Sequence, residues 1–399
     1  MEVPDAARSA LPPDLPATGA WRPGDPVADR RFVSFADQRP FLLEGGGALR
    51  DVTLAFETWG ELDADAANAV LVCHAVTGDA HATGPSGDGQ PTPGWWDGVI
   101  GPGRAIDTDH WFVVCVNVLG GCQGTTGPSS ADPDTGKPYG SRFPVVSIRD
   151  MVRCQQVVAD HLGVRSWAAV VGGSMGGMQA LEWAVMYPDR VRGVVALASA
   201  AAASAQQIAY STVGRHAVAL DPGYRGGDYY DAPPGEGPAA GLALARSLAQ
   251  VTYRADGELE ERFGRAEREP LDRGFALWQR FQVESYLDYH GAKLARRFDA
   301  NSYVHLTKAM DLHDLGRRRG GIARALGRIR APVLDVSITT DELYRPWQQE
   351  QLRDALVAQG VECRYAVIDS PHGHDAFLLE ADQVGAALRP FLEEIADHG

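Results

Sequence analysis

Cysteine is scarce in this chain, and no two cysteines are spaced as Cys-x-x-Cys. The 399 residues include only Cys73, Cys115, Cys122, Cys154 and Cys363. A sparse and odd-numbered set of this kind excludes a disulfide-stapled scaffold. Cys73 and Cys115 lie within apolar runs, where a reduced cysteine packs as a small hydrophobic side chain. The cysteine content therefore predicts a reducing, cytoplasmic location.

Long hydrophobic runs and an excess of basic charge are also missing. No stretch approaches the roughly 18 apolar residues of a membrane span, and residues 1–30 lack the apolar core of a signal peptide. The chain has 37 Lys and Arg against 52 Asp and Glu, a formal charge of −15. This balance argues against a general affinity for nucleic acid or anionic membranes. A polyanionic ligand would need a local basic patch, for which Arg317–Arg319 is the candidate; a solvated charge run is the alternative.

Short apolar runs rich in β-branched residues recur along the chain, with helix-like segments between some of them. Their hydrophobicity is continuous rather than alternating, which indicates strands buried on both faces of a parallel sheet. The pattern therefore predicts an α/β fold with a mostly parallel central sheet covered by helices. The runs lie at 69–73, 111–116, 168–171, 194–197, 332–338 and 363–368.

The strand pattern stops over residues 206–326, where we predict a helical lid insertion. Helix-like segments there lie at 239–253, 275–287 and 302–315. The α/β core is then formed by residues 31–205 and 327–399.

Two further expectations concern the beginning of the chain. Residues 1–30 are rich in Pro, Ala and Asp, which predicts a poorly ordered tail. Residues 41–44 and 52–56 flank three consecutive glycines, which predicts an antiparallel strand pair.

The clearest chemical motif is Gly172-Gly173-Ser174-Met175-Gly176, which lies between an apolar strand and a helical segment. This is the context of a nucleophile elbow, in which a serine is held in a sharp strand-to-helix turn. Small residues must flank such a serine because the strand and helix backbones nearly touch there. The motif predicts Ser174 as the nucleophile.

A serine hydroxyl needs a base, and the base needs a carboxylate to orient it. In this fold the acid and then the histidine follow the serine along the chain. Asp341 follows the strand that ends near residue 338 and is the candidate acid, and Glu342 is a weaker rival. The alternative role for Asp341 is to cap a helix. Beyond the next strand, His372 and His374 compete for the role of base, and the residues alone favour neither.

An acyl intermediate also needs two hydrogen-bond donors for its oxyanion. The backbone N–H of Met175 is one expected donor, and Val76, in the loop after the strand at 69–73, is the other. His74 and His81 lie nearby without a cysteine or carboxylate cluster at metal-ligand spacing, so we predict no metal site. These residues predict acyl transfer but leave open whether water or an alcohol is the acceptor.

Six segments, spread in consistent order between about Phe32 and Phe391, carry a resemblance to a known family. They are 73–81 (CHAVTGDAH), 94–97 (GWWD), 117–124 (NVLGGCQG), 172–179 (GGSMGGMQ), 297–303 (RFDANSY) and 373–378 (GHDAFL). These segments resemble the homoserine O-acetyltransferase family of α/β-hydrolase-fold enzymes. The resemblance implies transfer of an acetyl group from acetyl-CoA to L-homoserine for methionine biosynthesis, in a cytoplasmic homodimer without a metal or other cofactor.

The resemblance also implies roles for individual residues. It chooses His374 over His372 as the base, alongside Ser174 and Asp341. It implies that Asp375 binds the homoserine amino group and that Arg246 binds the carboxylate, with Tyr253 nearby. The implied mechanism is ping-pong, through an acetyl ester on Ser174.

Related enzymes use succinyl-CoA or acylate serine, so the donor and acceptor have alternatives. The segment Asp341-Glu342-Leu343-Tyr344 resembles the Asp-x-Leu-Tyr pattern that acetyl-type members have at the catalytic acid. Succinyl-type members tend to have an arginine in this pattern. Arg345 departs from the usual pattern, in which proline follows the tyrosine. A homoserine or serine O-succinyltransferase is the nearest alternative, and an esterase is the alternative from another class.

Overall fold

Eight strands form one central sheet in the computed structural model, which describes residues 11–268 and 281–397. Four shorter strands form two small two-stranded sheets in the same described ranges. The strands are β1 (Arg31–Phe35), β2 (Phe41–Leu42), β3 (Ala48–Leu49), β4 (Val52–Trp59), β5 (Ala69–Cys73), β6 (Ile100–Gly101), β7 (Ile106–Asp107), β8 (Phe112–Val116), β9 (Ala169–Gly173), β10 (Val194–Leu197), β11 (Val333–Ile338) and β12 (Cys363–Ile368).

The central sheet has the strand order β1-β4-β8-β5-β9-β10-β11-β12. The six strands from β8 to β12 in this order pair in parallel, whereas β1, β4 and β8 pair antiparallel. Every residue of β5, β8, β9 and β10 is buried, because helices cover both faces. The predicted α/β fold with a mostly parallel sheet is confirmed.

Helices connect the parallel strands and fill the segment between β10 and β11. Helix α1 begins with a capping box in which the Ser147 hydroxyl accepts from the Asp150 N–H. The described helices are α1 (Ile148–Leu162), α2 (Met175–Met186), α3 (Ala205–Leu220), α4 (Ala239–Tyr253), α5 (Asp256–Arg262), α6 (Gln282–Arg297), α7 (Ala300–Asp311), α8 (Ile322–Leu326), α9 (Pro346–Ala358), α10 (Ala376–Leu379) and α11 (Ala381–Asp397). None of these is both long and apolar enough to cross a bilayer.

Within the predicted insertion, the described residues form helices and contribute no strand to the central sheet. Helix α4 packs against both α3 and α6, and α3 packs against α7. The segment predicted as helical at 239–253 matches α4 residue for residue. The segment predicted at 275–287 begins outside the described residues, and the helix there extends further, to Arg297.

The predicted strand pair at 41–44 and 52–56 is wrong. β2 pairs instead with the short β3, which closes a hairpin around the three glycines. β4 is eight residues long. Its residues 52–56 pair with β1 along one edge, and its residues 56–59 pair with β8 along the other. Insertion into the main sheet hydrogen-bonds both edges of β4, which a pairing with β2 alone would not achieve.

The predicted poorly ordered tail is wrong for residues 11–30, while residues 1–10 lie outside the described part. Leu15 is 1% exposed. The Thr18 hydroxyl donates to Asp299 Oδ1 at 2.8 Å, and the Gly19 N–H donates to the Phe298 carbonyl at 3.1 Å. Buried contacts and these hydrogen bonds outweigh the entropy cost that composition alone suggested.

Candidate active site

Ser174 lies in a strained turn between β9 and α2, as the motif predicts. Its φ of 57° and ψ of −121° fall where L-residues rarely lie. Glycine is required beside it, since a Cβ on Gly172 would lie 2.4 Å from the Gly176 carbonyl carbon. A Cβ on Gly176 would in turn lie 2.1 Å from the Cys73 carbonyl oxygen. The close approach of β5, β9 and α2 therefore positions the serine at the carboxyl end of the sheet, where its helix begins.

The predicted acid and base meet in a buried pair. Asp341 Oδ2 lies 2.7 Å from His374 Nδ1, and both side chains are almost completely buried. Asp341 Oδ1 accepts the backbone N–H groups of Leu343 and Tyr344 at 2.8 and 2.7 Å. Asp341 thus performs the turn-capping role and the pairing role together. Burial opposes protonation of His374, but the Asp341 carboxylate outweighs this effect and raises the pKa of His374 above its ordinary value.

Tyr344 connects the serine with the histidine. Its hydroxyl interacts with the Ser174 side chain, and burial raises the pKa of this hydroxyl, so the phenol stays protonated at neutral pH. Its ring stacks on the His374 ring with centroids 5.1 Å apart and planes inclined by 24°. The Tyr253 ring lies 5.6 Å from the same imidazole. The structure therefore brings Ser174, Asp341 and His374 into one cluster around Tyr344.

A small cavity of about 50 Å³ adjoins this cluster. Val76 and Tyr344 line it from the core, and residues of α3, α4 and α7 line it from the lid. Val76 follows β5, and Met175 is the first residue of α2, whose N-terminal N–H groups have no partner within the helix. Met175 thus directly follows Ser174 at the start of α2, and Val76 lines the adjoining cavity from the loop after β5.

The residues predicted to bind the amino acid lie around the same cluster, Arg246 and Tyr253 on the lid helix α4 and Asp375 on the core. The Arg246 guanidinium lies 5.4 Å from the centroid of the Tyr253 ring. Asp375, next to His374, forms an ion pair with Arg254, whose Nη2 is 3.3 Å from Oδ2. Arg254 also pairs with Glu258 at 3.2 Å. A carboxylate and a guanidinium near one serine suit a zwitterionic ligand.

The alternative candidates for the base and the acid, His372 and Glu342, have partners outside the Asp341–His374 pair. His372 is partly exposed, and its Nδ1 lies 3.3 Å from Glu258 Oε1. Glu342 is exposed and pairs with Arg345 at 2.7 Å. Neither lies in the buried contact between Asp341 and His374, so the geometry favours the assignment that the resemblance implied.

Both nitrogens of the His74 ring and one nitrogen of the His81 ring have hydrogen-bond partners in the protein, whereas His81 Nε2 is buried without one. His74 contacts the Ala75 carbonyl and the Val118 N–H, and His81 Nδ1 lies 2.9 Å from Glu57 Oε2. Across residues 11–268 and 281–397, no group of three or more His, Cys, Asp or Glu side chains is arranged to hold a metal ion.

Two arginines of the run at 317–319 pair with carboxylates of the core, whereas Arg318 is exposed. Arg317 Nη2 donates to Glu44 Oε2 at 2.9 Å, and Arg319 Nη1 lies 2.8 Å from Glu182 Oε2. Arg149 joins both carboxylates, at 2.7 Å from Glu44 and 2.9 Å from Glu182. These cations stabilise the packing of the 314–319 loop on the core, so they are not available to an external polyanion.

Comparison with known proteins agrees with this geometry. Residues 68–381 match the model of the alpha/beta hydrolase fold family. A homoserine O-acetyltransferase of Thermobifida fusca is 54% identical over 385 residues, which cover 96% of this chain and 98% of that protein. The chain belongs to the homoserine O-acetyltransferase family. The resemblance stated from the sequence motifs is thereby confirmed.

Solved structures place the family beside esterases. The crystal structure of a homoserine O-acetyltransferase from Bacillus anthracis has a TM-score of 0.83 at 28% identity, covering 91% of this chain and 97% of that one. The crystal structure of esterase E22 has a TM-score of 0.82 at 30% identity, covering 91% and 99%. One architecture therefore carries both transferases and esterases, and the acceptor must be argued from the site.

Sequence reasoning missed two contacts of this site. It did not foresee that Tyr344 interacts with the serine or that Arg254 forms an ion pair with Asp375. The Asp-x-Leu-Tyr motif of the homoserine O-acetyltransferase family marks Tyr344, but nothing in the sequence indicates which side chain its hydroxyl contacts. Arg254 directly follows Tyr253, and only the packing of α4 against the 373–375 turn reveals its partner.

Proposed function

We propose that this protein transfers an acetyl group from acetyl-CoA to the side-chain hydroxyl of L-homoserine, giving O-acetyl-L-homoserine for methionine biosynthesis. The observation that carries the proposal is the buried Asp341–His374 pair beside the elbow serine, in a chain 54% identical to a homoserine O-acetyltransferase. The Asp375 carboxylate and the Arg246 guanidinium support an amino-acid acceptor, because each can pair with one end of a zwitterion.

The reaction proceeds in two steps, acetylation of Ser174 and transfer of the acetyl group to homoserine. His374 Nε2 takes the proton of Ser174 as its oxygen attacks the thioester carbon, and the C–S bond breaks. The CoA thiolate leaves with the proton from His374, and an acetyl ester remains on Ser174. His374 then removes the proton of the homoserine hydroxyl, which attacks the ester carbon. The Ser174 oxygen leaves and recovers its proton from His374.

Three groups prepare the site for these steps. Asp341 holds Nδ1 of His374, so that Nε2 is the nitrogen that exchanges protons with the reacting groups. The Val76 and Met175 N–H groups stabilise the oxyanion that forms in each step. The lid helices cover the cavity, which limits hydrolysis of the acetyl ester by water.

The donor and acceptor can be tested directly by product mass. The protein is incubated with acetyl-CoA or succinyl-CoA, each with L-homoserine or L-serine. We expect O-acetyl-L-homoserine to dominate, because Leu343 and Glu342 offer no cation for a succinyl carboxylate. A dominant succinyl ester would contradict the donor, and a dominant serine ester would contradict the acceptor.

An esterase is the second candidate, favoured by the likeness to esterase E22. It predicts rapid hydrolysis of p-nitrophenyl acetate that homoserine does not accelerate. A transferase predicts slow release of acetate and faster p-nitrophenol release when homoserine is added, since homoserine then removes the acetyl group from Ser174.

Exchanging Asp375 for asparagine is expected to weaken homoserine use selectively. The Asp375→Asn variant removes the charge that pairs with the ammonium group, and a charge-assisted hydrogen bond contributes about 1.5–3 kcal/mol. We therefore expect kcat/KM for homoserine to fall about 10- to 100-fold. Acetylation of Ser174 by acetyl-CoA alone should stay within about threefold of wild type. Asp369→Asn, an exposed change in the same loop, is the matched control; an equal loss there would contradict the role of Asp375.

The homodimer and the cytoplasmic location stay predictions. A second copy of the chain is supported by exposed apolar side chains on α3 and α4, which pack against each other. These include Val213, Leu220, Leu244 and Val251, all at least half exposed.

A further inference from the structure

The loop after β5 holds its own peptide groups in fixed orientations. His74 Nδ1 lies 2.8 Å from the Ala75 carbonyl oxygen. The Gly78 N–H donates to the same oxygen at 2.9 Å, which closes a turn across Val76 and Thr77. The Ala75 carbonyl therefore has two hydrogen bonds, one from a side chain and one from the backbone.

The second nitrogen of His74 fixes its tautomer. The Val118 N–H donates to His74 Nε2 at 3.1 Å, so this nitrogen carries no proton. The neutral ring must then carry its proton on Nδ1, which donates to the Ala75 carbonyl. His74 is completely buried, and burial lowers its pKa, so the ring is neutral near pH 7. The imidazole thus bridges the end of β8 and the loop after β5 by two directed bonds.

The bond to the Ala75 carbonyl also sets the direction of the next N–H. A trans peptide is planar, so the N–H of Val76 points opposite to the carbonyl of Ala75. No peptide bond within the described residues is cis. An imidazole that holds the carbonyl therefore holds the N–H as well.

Neighbouring contacts tie the same loop to the rest of the site. Gln179 of α2 donates to the His74 carbonyl at 3.3 Å, which links the loop to the helix that follows Ser174. Arg297, at the end of α6, donates to the Thr77 carbonyl at 2.9 Å. Among residues 11–268 and 281–397, only His74 and Gly78 bond the Ala75 carbonyl, which belongs to the same peptide as the Val76 N–H.

We propose that His74 is a positioning residue for the oxyanion site, because its imidazole fixes the Ala75–Val76 peptide before the thioester binds. The inference rests on the proposed function, in which the Val76 N–H stabilises the oxyanion. An oxyanion donor is effective when it is oriented in advance and needs no reorganisation during the reaction. Without the imidazole, the Gly78 bond alone would hold this peptide, and its N–H would sample other directions.

The test compares two buried histidines. His74→Leu introduces an apolar side chain of similar size and removes the hydrogen bonds to the Ala75 carbonyl and the Val118 N–H. His313→Leu is the matched control, because His313 is also buried and its Nε2 bonds a backbone carbonyl, that of Ala200, at 3.0 Å. Both variants lose a buried imidazole–carbonyl bond, so both should lose thermal stability to a similar extent. The readout is the rate at which acetyl-CoA acetylates Ser174, followed by rapid quenching and intact-protein mass.

We expect His74→Leu to slow acetylation about 10- to 100-fold, since loss of an entire oxyanion donor costs about 10²- to 10³-fold. The acetyl-CoA concentration at half-maximal rate should stay within about threefold, because the loss affects the transition state rather than ground-state binding. His313→Leu should acetylate within about twofold of wild type. His74→Gln, which retains a donor and an acceptor, should recover part of the rate lost in His74→Leu.

Each alternative result is informative. An undiminished rate in His74→Leu, with wild type forming the Ser174 adduct, overturns the positioning role and leaves the proposed function intact. Equal slowing in His74→Leu and His313→Leu also overturns it, because a general structural effect would then explain both. If wild type forms no adduct, the proposed function itself fails. Should His74→Leu not fold, His74→Asn replaces it, since its side chain is too short to reach Ala75 and Val118 together; the same slowing is expected.

Discussion

Replacing Ser174 by alanine is expected to lower kcat for acyl transfer by about 10⁴-fold or more, because in the proposed mechanism the hydroxyl oxygen of Ser174 carries the acetyl group. Ser174 lies at the start of α2, beside Tyr344 and the Asp341–His374 pair, and no other described serine lies there. The measurement is intact-protein mass after a brief pulse of acetyl-CoA, together with steady-state turnover. Wild type should gain one acetyl group, and Ser174→Ala should gain none.

Ser147→Ala provides the control for this experiment. Ser147 is also a buried serine at the start of a helix, where its hydroxyl caps α1. Its loss should cost about 1 kcal/mol of stability and leave acetylation intact. Turnover of Ser174→Ala close to that of wild type would contradict the covalent mechanism.

Replacing Arg149 by alanine is expected to produce the largest loss of stability, about 3–5 kcal/mol in the free energy of unfolding. The side chain is almost completely buried and pairs with Glu44 and Glu182. Its Nη2 also donates to the carbonyls of Asp314 and Arg317 at 2.9 and 3.0 Å. Without Arg149, carboxylates and carbonyls stay buried with fewer partners, which costs more than the loss of an exposed pair.

Urea denaturation of Arg149→Ala and wild type would measure this difference. Arg330→Ala is the matched control, since the Arg330–Asp189 pair is mostly exposed and should contribute about 0–1 kcal/mol. If the two arginine variants lose the same stability, the buried network does not stabilise the core as described.

The site was predictable where chemistry forces particular residues into particular places. A nucleophile elbow requires small residues around Ser174, and the order of serine, acid and histidine limits the candidates that follow it. The parallel sheet was predictable because continuous apolar runs have few other uses. Residues alone could not choose between His372 and His374, since both lie in the same loop; the family motif chose the one that the structure places beside Asp341.

Long-range partners were not predictable from the sequence. The pairing of β4 with β1 rather than β2 depends on which sheet edge is available after the whole core assembles. The arginines at 317–319 look like a surface patch until Glu44 and Glu182, from distant parts of the chain, are found beside them. Residues 11–30 have a composition typical of disorder, yet a few buried contacts order them.

Residues 18–21 connect the lid to the core and so limit outward movement of the lid. Thr18 and Gly19 bond Asp299 and Phe298 where α6 meets α7, and the Trp21 N–H donates to the Cys122 carbonyl in the core at 2.9 Å. An outward movement of the lid at this corner would have to break either the bonds to Asp299 and Phe298 or the bond to Cys122. We therefore expect substrates to enter and leave through local rearrangement of the side chains on α3, α4 and α7 that line the cavity, because residues 18–21 tie that corner of the helical segment to the core.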